Sequence, residues 1–208
     1  MVIEDTDPPP PTRWEKSVTG ARWDFYVNRF AREFADGTDL EGEARFADVL
    51  APRRARVLDA GCGTGRIAGA LHRMGHQVVG ADRDAGLVAI AVERYPGPVF
   101  MAADLLTLDP RLLQAAGGPD AFDVIVVAGN VLVYLAPGTE RRVLETLSGL
   151  LVAGGRLVAG FATDRDYRVD DFDRDAAAVG LSVEHRFATW HLDPWVDGAD
   201  WAVTVLRL

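Results

Sequence analysis

A chain of 208 residues suits one domain of ordinary size with a two-faced sheet core, and 49% hydrophobic with 25% charged residues is a globular balance. The formal net charge of -9 argues against nucleic acid, whose binding draws most of its affinity from phosphate neutralisation by Lys and Arg, and suits a neutral or cationic small ligand. Cys62 is the only cysteine, which excludes an intramolecular disulfide; no apolar run approaches a membrane span, and Met1 to Asp7 lacks a signal-peptide pattern, so the expectation is a cytoplasmic protein with no membrane partner. Lys16 is the sole lysine among many arginines, a bias that points to a GC-rich bacterial genome.

In chain order, residues 1 to 17 carry Pro8 to Pro11 in a polar setting and read as a flexible arm. Residues 18 to 53 read as an N-terminal helical unit. Trp23, Tyr26, Val27, Phe30 and Phe34 recur at three- and four-residue spacing on one helical face, and Asp36-Gly37 stops that helix. Thr38 with Glu41 predicts a capping box for a second helix over 39–50, ended by Ala51-Pro52.

The stretch from Arg56 to Arg66 predicts a strand, a tight glycine turn and a helix start. Val57 and Leu58 run into Asp59, and Gly61, Gly63 and Gly65 then alternate with Cys62 and Thr64. Three alternating glycines allow positive φ and let a ligand approach bare backbone. Ile67, Leu71 and Met74 line the next helix, which stops at Gly75. A strand over 77–81 ends in Asp82, and Asp84 caps a helix over 85–95. Strands follow over 99–102 and 122–128, separated by a weak helical turn at 111–115. The second of these strands is nearly all apolar, as in a parallel sheet covered on both faces. A helix over 138–151, a strand over 156–161 and a helix over 169–179 extend the alternation, and strands over 181–189 and 202–208 close the chain as an antiparallel hairpin. The fold class predicted is α/β: a doubly wound, mostly parallel, Rossmann-like sheet of seven strands, with an antiparallel C-terminal hairpin strand and extra N-terminal helices.

In such a sheet ligands sit beyond the carboxyl ends of the strands, where strand order reverses. Asp59, Asp82, Asp104 and Asn130 each follow a predicted strand, so they are expected to converge there. Asp82 lies about 20 residues after the first glycine, the spacing at which an acid reaches a ribose. The strict dinucleotide fingerprint fails at Arg66, although Gly63, Gly65 and Ala68 fit its weaker form. Asp59, directly before the turn, is expected to repel a pyrophosphate and favour a cation.

These residues resemble the class I S-adenosylmethionine-dependent methyltransferases. Asp59-Ala-Gly-Cys-Gly-Thr-Gly65 is similar to that family's glycine-rich first motif, Val-Val-Gly-Ala-Asp82 to its second, Ala-Ala-Asp104-Leu to its adenine-side acid, and Val-Ala-Gly-Asn130 to its segment after strand four. The resemblance covers residues 54 to 208. It implies S-adenosylmethionine as cofactor, S-adenosylhomocysteine as product, and methyl transfer to a small-molecule acceptor by a monomer or homodimer. It implies that Gly61 and Gly63 pass the methionine part, with Asp59 supporting the turn and the ammonium. Asp82 would bind both ribose hydroxyls, and Asp104 with the Leu105 backbone would meet adenine. Asn130 would lie beside the sulfonium, Cys62, Gly65 and Arg83 complete the cofactor-binding set, and Trp23 and Tyr26 belong to a lid. No Asn/Asp-Pro-Pro-Tyr sequence follows strand four, which speaks against methylation of DNA bases. A nicotinamide-dependent oxidoreductase and a non-catalytic nucleoside-binding module remain the rival readings.

Candidate catalytic residues are Asn130, Tyr134 and His191, with His185 a further possible base. Trp190, His191 and Trp195 fall in the hairpin loop, where acceptor contact and aromatic packing explain them equally well. No metal is expected. His72 and His76 have ligand spacing but Gly75 separates them, and Asp164, Asp166, Asp170, Asp171, Asp173 and Asp175 read as a solvated face at a helix start. Cys62 has no histidine partner for nucleophilic work.

Overall fold

Successive side chains of a strand face opposite ways, so an apolar run builds two cores, one on each side of its sheet. The structure, a computed structural model, describes residues 8–208 apart from the side chains of residues 31 and 34. In it Leu58 of β1 (Arg56–Ala60), Val79 of β2 (Gln77–Asp82) and Ile125 of β4 (Phe122–Val127) join one core, while their neighbours Val57, Val78 and Val124 join the other. With β3 (Val99–Ala102), β5 (Leu151–Ala162), β6 (Ser182–Phe187) and β7 (Trp201–Arg207) these form a seven-stranded sheet in the order β3-β2-β1-β4-β5-β7-β6. All neighbours are parallel except those of β7, which runs antiparallel to both β5 and β6. The predicted fold class is the one observed.

Helices α3 (Gly42–Leu50) and α4 (Arg66–Arg73) cover one face, and α6 (Pro110–Ala115), α8 (Glu140–Gly149) and α9 (Val169–Ala178) the other. Helix α5 (Ala85–Arg94) links β2 to β3, and the four-residue α7 (Val131–Tyr134) follows β4. Strand order reverses between β1 and β4, so the turns after these two strands flank a crevice. Helices α1 (Arg13–Ser17) and α2 (Ala21–Ala35) lie across that end of the sheet, with α1 against α7.

Four sequence expectations change. The segment expected as a flexible arm contains α1, because Thr12 and Glu15 form a capping box and Arg13 donates to the Leu135 carbonyl and pairs with Glu140 at 3.0 Å. Residues 1–7 of that arm, and the Phe34 side chain, lie outside the described residues. The capping box expected at Thr38 and Glu41 does not form. Gly37 at φ 73° and the bond from the Thr38 N–H to the Glu33 carbonyl, 2.9 Å, close α2 in the manner of a Schellman turn, so Thr38 is spent ending one helix and α3 starts only at Gly42. The helix expected over 138–151 spans Glu140–Gly149, and β5 begins at Leu151, which pairs with Phe122 ahead of a register shift. Helix α7 has too few residues to leave a periodic trace.

Candidate active site

The turn after β1 is built backwards from its own backbone. The Gly61 N–H (2.7 Å) and the Cys62 N–H (3.1 Å) donate to the Ala81 carbonyl, binding the turn to the end of β2. Gly61, at φ 81°, has Val131 so close that a Cβ would sit 2.3 Å from its Cγ2. Asp82 closes the structure: its Oδ2 accepts from the Gly63 N–H and its Oδ1 from the Asp84 N–H, both at 2.9 Å. Each oxygen keeps a second acceptor site. Burial pushes the Asp82 carboxyl up, against those two backbone donors.

Asp82 opens onto a cavity of about 400 Å³, which Gly61, Arg83, Asp84, Asp104, Leu105 and Gly129 also line. Asp104 accepts from the Leu106 N–H at 2.8 Å and from Arg83 at 2.6 Å, and Arg83 pairs in turn with Glu15 of α1 at 3.1 Å and donates to the carbonyls of Pro9 and Pro10. Asp84 does more than cap α5. Its Oδ1 takes the Gly86 and Leu87 N–H groups, while its Oδ2 accepts from the indoles of Trp14 (3.2 Å) and Trp23 (2.9 Å). One carboxylate thus joins the cavity rim to both covering helices. The lining is acidic, with Asp82, Asp84, Asp104 and Glu15 against Arg83 alone.

A second cavity of about 570 Å³ adjoins the first, and Trp14, Tyr26, Gly61, Gly129 and Tyr134 line both. Phe30, Ile67, Trp190 and Trp201 add aromatic and apolar surface to its wall, and the charged Arg29, Asp39, Glu43, Arg66 and Asp200 border it together with Cys62, Thr64, Asn130 and His191. Trp14 meets Tyr26 edge-on at 4.8 Å and Tyr134 at 5.6 Å, so the shared wall is an aromatic contact set. Trp190 fits against Gly160, where a Cβ would lie 2.2 Å from its ring, and edge-on against Phe46.

Sequence-predicted residues divide accordingly. Asp82, Arg83, Asp104 and Leu105 border the first cavity, Cys62, Asn130 and His191 the second, and Gly61 and Tyr134 both. Asn130 stands in the left-handed region at φ 72°, and its Oδ1 accepts from the Ala162 N–H at 2.8 Å, tying the loop after β4 to β5. His185 and Trp195 border neither cavity; His185 sits on β6 beside Phe187, and Arg186 lies over the Trp195 ring.

Gly63 and Gly65 border neither cavity. The Tyr26 hydroxyl lies 2.8 Å from where a Gly63 Cβ would be, and Gly65, at φ 83°, lets α4 approach Ala91 and Phe100. Asp59 departs from its expected place beside a cation. It shares the face of Val57, lies 1% exposed beneath α4, borders neither cavity, and its Oδ2 accepts from the Ala68 N–H at 3.0 Å. It caps the start of α4 from inside, a service that Gly65, without a side chain, cannot perform. Burial pushes its carboxyl up to about 7, against the pull of the Arg66 guanidinium and the Ala68 N–H. Burial likewise pushes the Cys62 thiol up, with Asp59 and Asp82 adding to the effect.

Other candidates are occupied structurally. The His76 Nδ1 accepts from the Ala55 N–H and its Nε2 bonds Asp48 at 2.8 Å. Asp171, Asp173 and Asp175 each pair with an arginine. Among the described residues no group of three or more His, Cys, Asp or Glu is placed for a metal, and no helix is long and apolar enough to cross a membrane. The sequence reading missed Trp14, Glu15 and Trp201, and saw Asp84 only as a cap. The pattern Thr12-x-x-Glu15 was the available sign that the arm is helical.

The fold and site define an α/β architecture in which a glycine turn and a strand-end carboxylate, Asp82, border a cavity roofed by helices. The methyltransferase domain family matches residues 57–155. A TehB-like SAM-dependent methyltransferase from Corynebacterium glutamicum superposes with a TM-score of 0.81 at 38% identity, covering 89% of this chain and 97% of that one. The magnesium-protoporphyrin O-methyltransferase of Rhodobacter capsulatus is 33% identical over 137 residues, 64% of this chain and 56% of that protein. The ubiquinone biosynthesis O-methyltransferase of a Ruegeria species is 33% identical over 134 residues, 64% of this chain and 49% of that protein. The chain belongs to the class I S-adenosylmethionine-dependent methyltransferases. It spans about half the length of the curated relatives it matches.

Proposed function

We propose that this protein transfers a methyl group from S-adenosylmethionine to a small-molecule acceptor, with cofactor in the acidic cavity and acceptor in the aromatic one. The observation that carries this reading is the wall the two cavities share, at Gly61, Gly129, Tyr26 and Tyr134. The first cavity fits the cofactor. Asp82 retains acceptor capacity on both oxygens for two ribose hydroxyls, and Asp104 and the Leu105 backbone, which border the same cavity, would meet adenine. It suits a cation better than a diphosphate, since four carboxylates face one guanidinium and the start of α4 is already capped by Asp59.

S-adenosylmethionine, when bound, would supply an electrophilic methyl on positively charged sulfur, which a nucleophile attacks in line while the sulfur leaves with the bond's electron pair as the thioether of S-adenosylhomocysteine. The protein's part is alignment and exclusion of water. Trp14, Tyr26 and Tyr134 close the junction, and positioning of this kind is worth about 7 to 11 kcal/mol without an obligatory base. Where the acceptor is a hydroxyl, the His191 imidazole, which borders the cavity, takes its proton on a ring nitrogen, while Tyr134 on the shared wall positions the hydroxyl and Asn130 holds the loop after β4. Helices α1 and α2 serve as the lid.

Calorimetric titration tests the cofactor reading. S-adenosylhomocysteine is expected to bind and NAD or NADP not. At 100 times its dissociation constant it adds about 2.7 kcal/mol of stability. Stabilisation by the dinucleotide alone would overturn the proposal.

A further inference from the structure

Resting on the acceptor reading of the second cavity, we infer that this site selects a planar, non-anionic aromatic acceptor carrying an oxygen or nitrogen lone pair, and that the Trp201 indole N–H recognises that lone pair.

Three independent features lead there. The first is the wall: Tyr26, Phe30, Tyr134, Trp190 and Trp201 give faces and edges against which a flat ring packs, whereas a saturated ring of equal size gains burial but not the aromatic contacts. The second is charge. Both arginines bordering the cavity among the described residues are already engaged: Arg66 forms an ion pair with Glu43, each only 16% exposed, while Arg29 pairs with Glu33 and lies 4.5 Å over the Phe30 ring. Asp39 is bound to Arg45, and Asp200 has no ion-pair partner among the described residues. An anionic acceptor therefore meets no available countercharge and faces a carboxylate. The third is the Trp201 Nε1, a buried donor with no hydrogen-bond partner among the described residues. An unsatisfied buried donor is costly, and a neutral ligand atom that accepts from it, reached by a turn of the Trp201 ring because the atom is closed to solvent in the free chain, recovers that cost on binding. Trp201 opens β7, opposite Ala162 of β5, whose own N–H holds Asn130. The donor thus stands on the strand pair that positions the loop at the junction of the two cavities.

The probes are 2-naphthol, decahydro-2-naphthol and 2-methylnaphthalene, titrated into the full chain saturated with S-adenosylhomocysteine. The first is flat with a lone pair, the second has the lone pair without the flat ring, and the third the flat ring without the lone pair. 2-Naphthol is expected to bind about tenfold more tightly than its saturated counterpart, and about fivefold more tightly than 2-methylnaphthalene, the worth of one neutral hydrogen bond. Trp201→Phe keeps the ring and removes the donor. It should erase the second difference while leaving S-adenosylhomocysteine affinity unchanged. Equal binding of flat and saturated alcohols overturns the aromatic selection, and an undiminished naphthol preference in the folded variant overturns the role of Trp201. Because the probe comparison is made first in the unaltered chain, it stands even if the variant misfolds. Failure of S-adenosylhomocysteine itself to bind would strike the proposed function instead, and binding of that product with no binding of 2-naphthol would strike this inference alone.

Discussion

The two cavities share five residues yet draw the rest of their walls from different kinds of structure. The acidic one takes Asp82, Asp84, Asp104 and Leu105 from the ends of the neighbouring strands β2 and β3. The aromatic one takes Phe30 from α2, Glu43 from α3, Ile67 from α4, Trp190 from the hairpin loop and Trp201 from β7. Sheet topology alone gathers the first set, because parallel strands deliver their carboxyl ends to one edge. The second set meets only when separate helices and the hairpin pack, so its shape is free to vary while the first stays. One half of the site is therefore a property of the fold and the other a property of this chain.

The comparison breaks first at Asp82. Asp82→Ala should lower S-adenosylhomocysteine affinity by about a hundredfold or more, since two charge-assisted hydrogen bonds to hydroxyls are lost at about 1.5 to 3 kcal/mol each. Binding of 2-naphthol in the neighbouring cavity should change far less. Calorimetry on the folded variant checks both, and cofactor affinity retained within fivefold would remove Asp82 from its proposed role.

Gly65 tests the opposite case, a motif glycine that faces protein rather than ligand. Gly65→Ala forces a Cβ at φ 83° to within 3 Å of Ala91 and Phe100, and should cost about 1 to 3 kcal/mol in urea unfolding. Its effect on cofactor affinity should be confined to what that loss of stability causes. A large loss of affinity with stability unchanged would return Gly65 to the cofactor.

Asp59 gives a pH test. Its carboxyl titrates near 7 in the fold and near 3.8 when free, so between those values the folded chain holds a proton that the unfolded chain has released. Its contribution is full below about pH 4 and declines as pH rises through 7. Asp59→Asn retains an oxygen for the Ala68 N–H and removes the titration, so unfolding free energy should fall less steeply from pH 4 to 7 than in the unaltered chain. An unchanged slope would show that Asp59 ionises normally.

These residues also show what was legible in the chain. Spacing alone marked Asp82, because the distance from the glycine turn to the end of the next strand is a property of the βαβ unit. Asp59 was misassigned although parity was readable: it lies two residues after Val57, hence on the same face, under α4. The patterns at Thr12 and Thr38 are both Thr-x-x-Glu, yet only the first forms a capping box, because Thr38 closes the preceding helix. Trp14 and Trp201 carry no local sign of their roles, since what gives each its place, Asp84 for one and the cavity wall for the other, lies far away in the chain.

The smallest expected effect concerns the roof. Trp23 donates to the same Asp84 oxygen as Trp14, at 2.9 Å, and Trp23→Phe keeps the ring over Gly86 while removing the donor. Trp14 still holds that oxygen and the site is partly open to solvent, so the loss should be about 1 kcal/mol in urea unfolding. Because Asp84 borders the acidic cavity and not the aromatic one, S-adenosylhomocysteine should bind a few-fold more weakly while 2-naphthol affinity stays unchanged. If instead naphthol binding falls and cofactor binding holds, the roof belongs to the acceptor side, and the division between a cavity set by strand ends and a cavity set by packing has to be redrawn at α2.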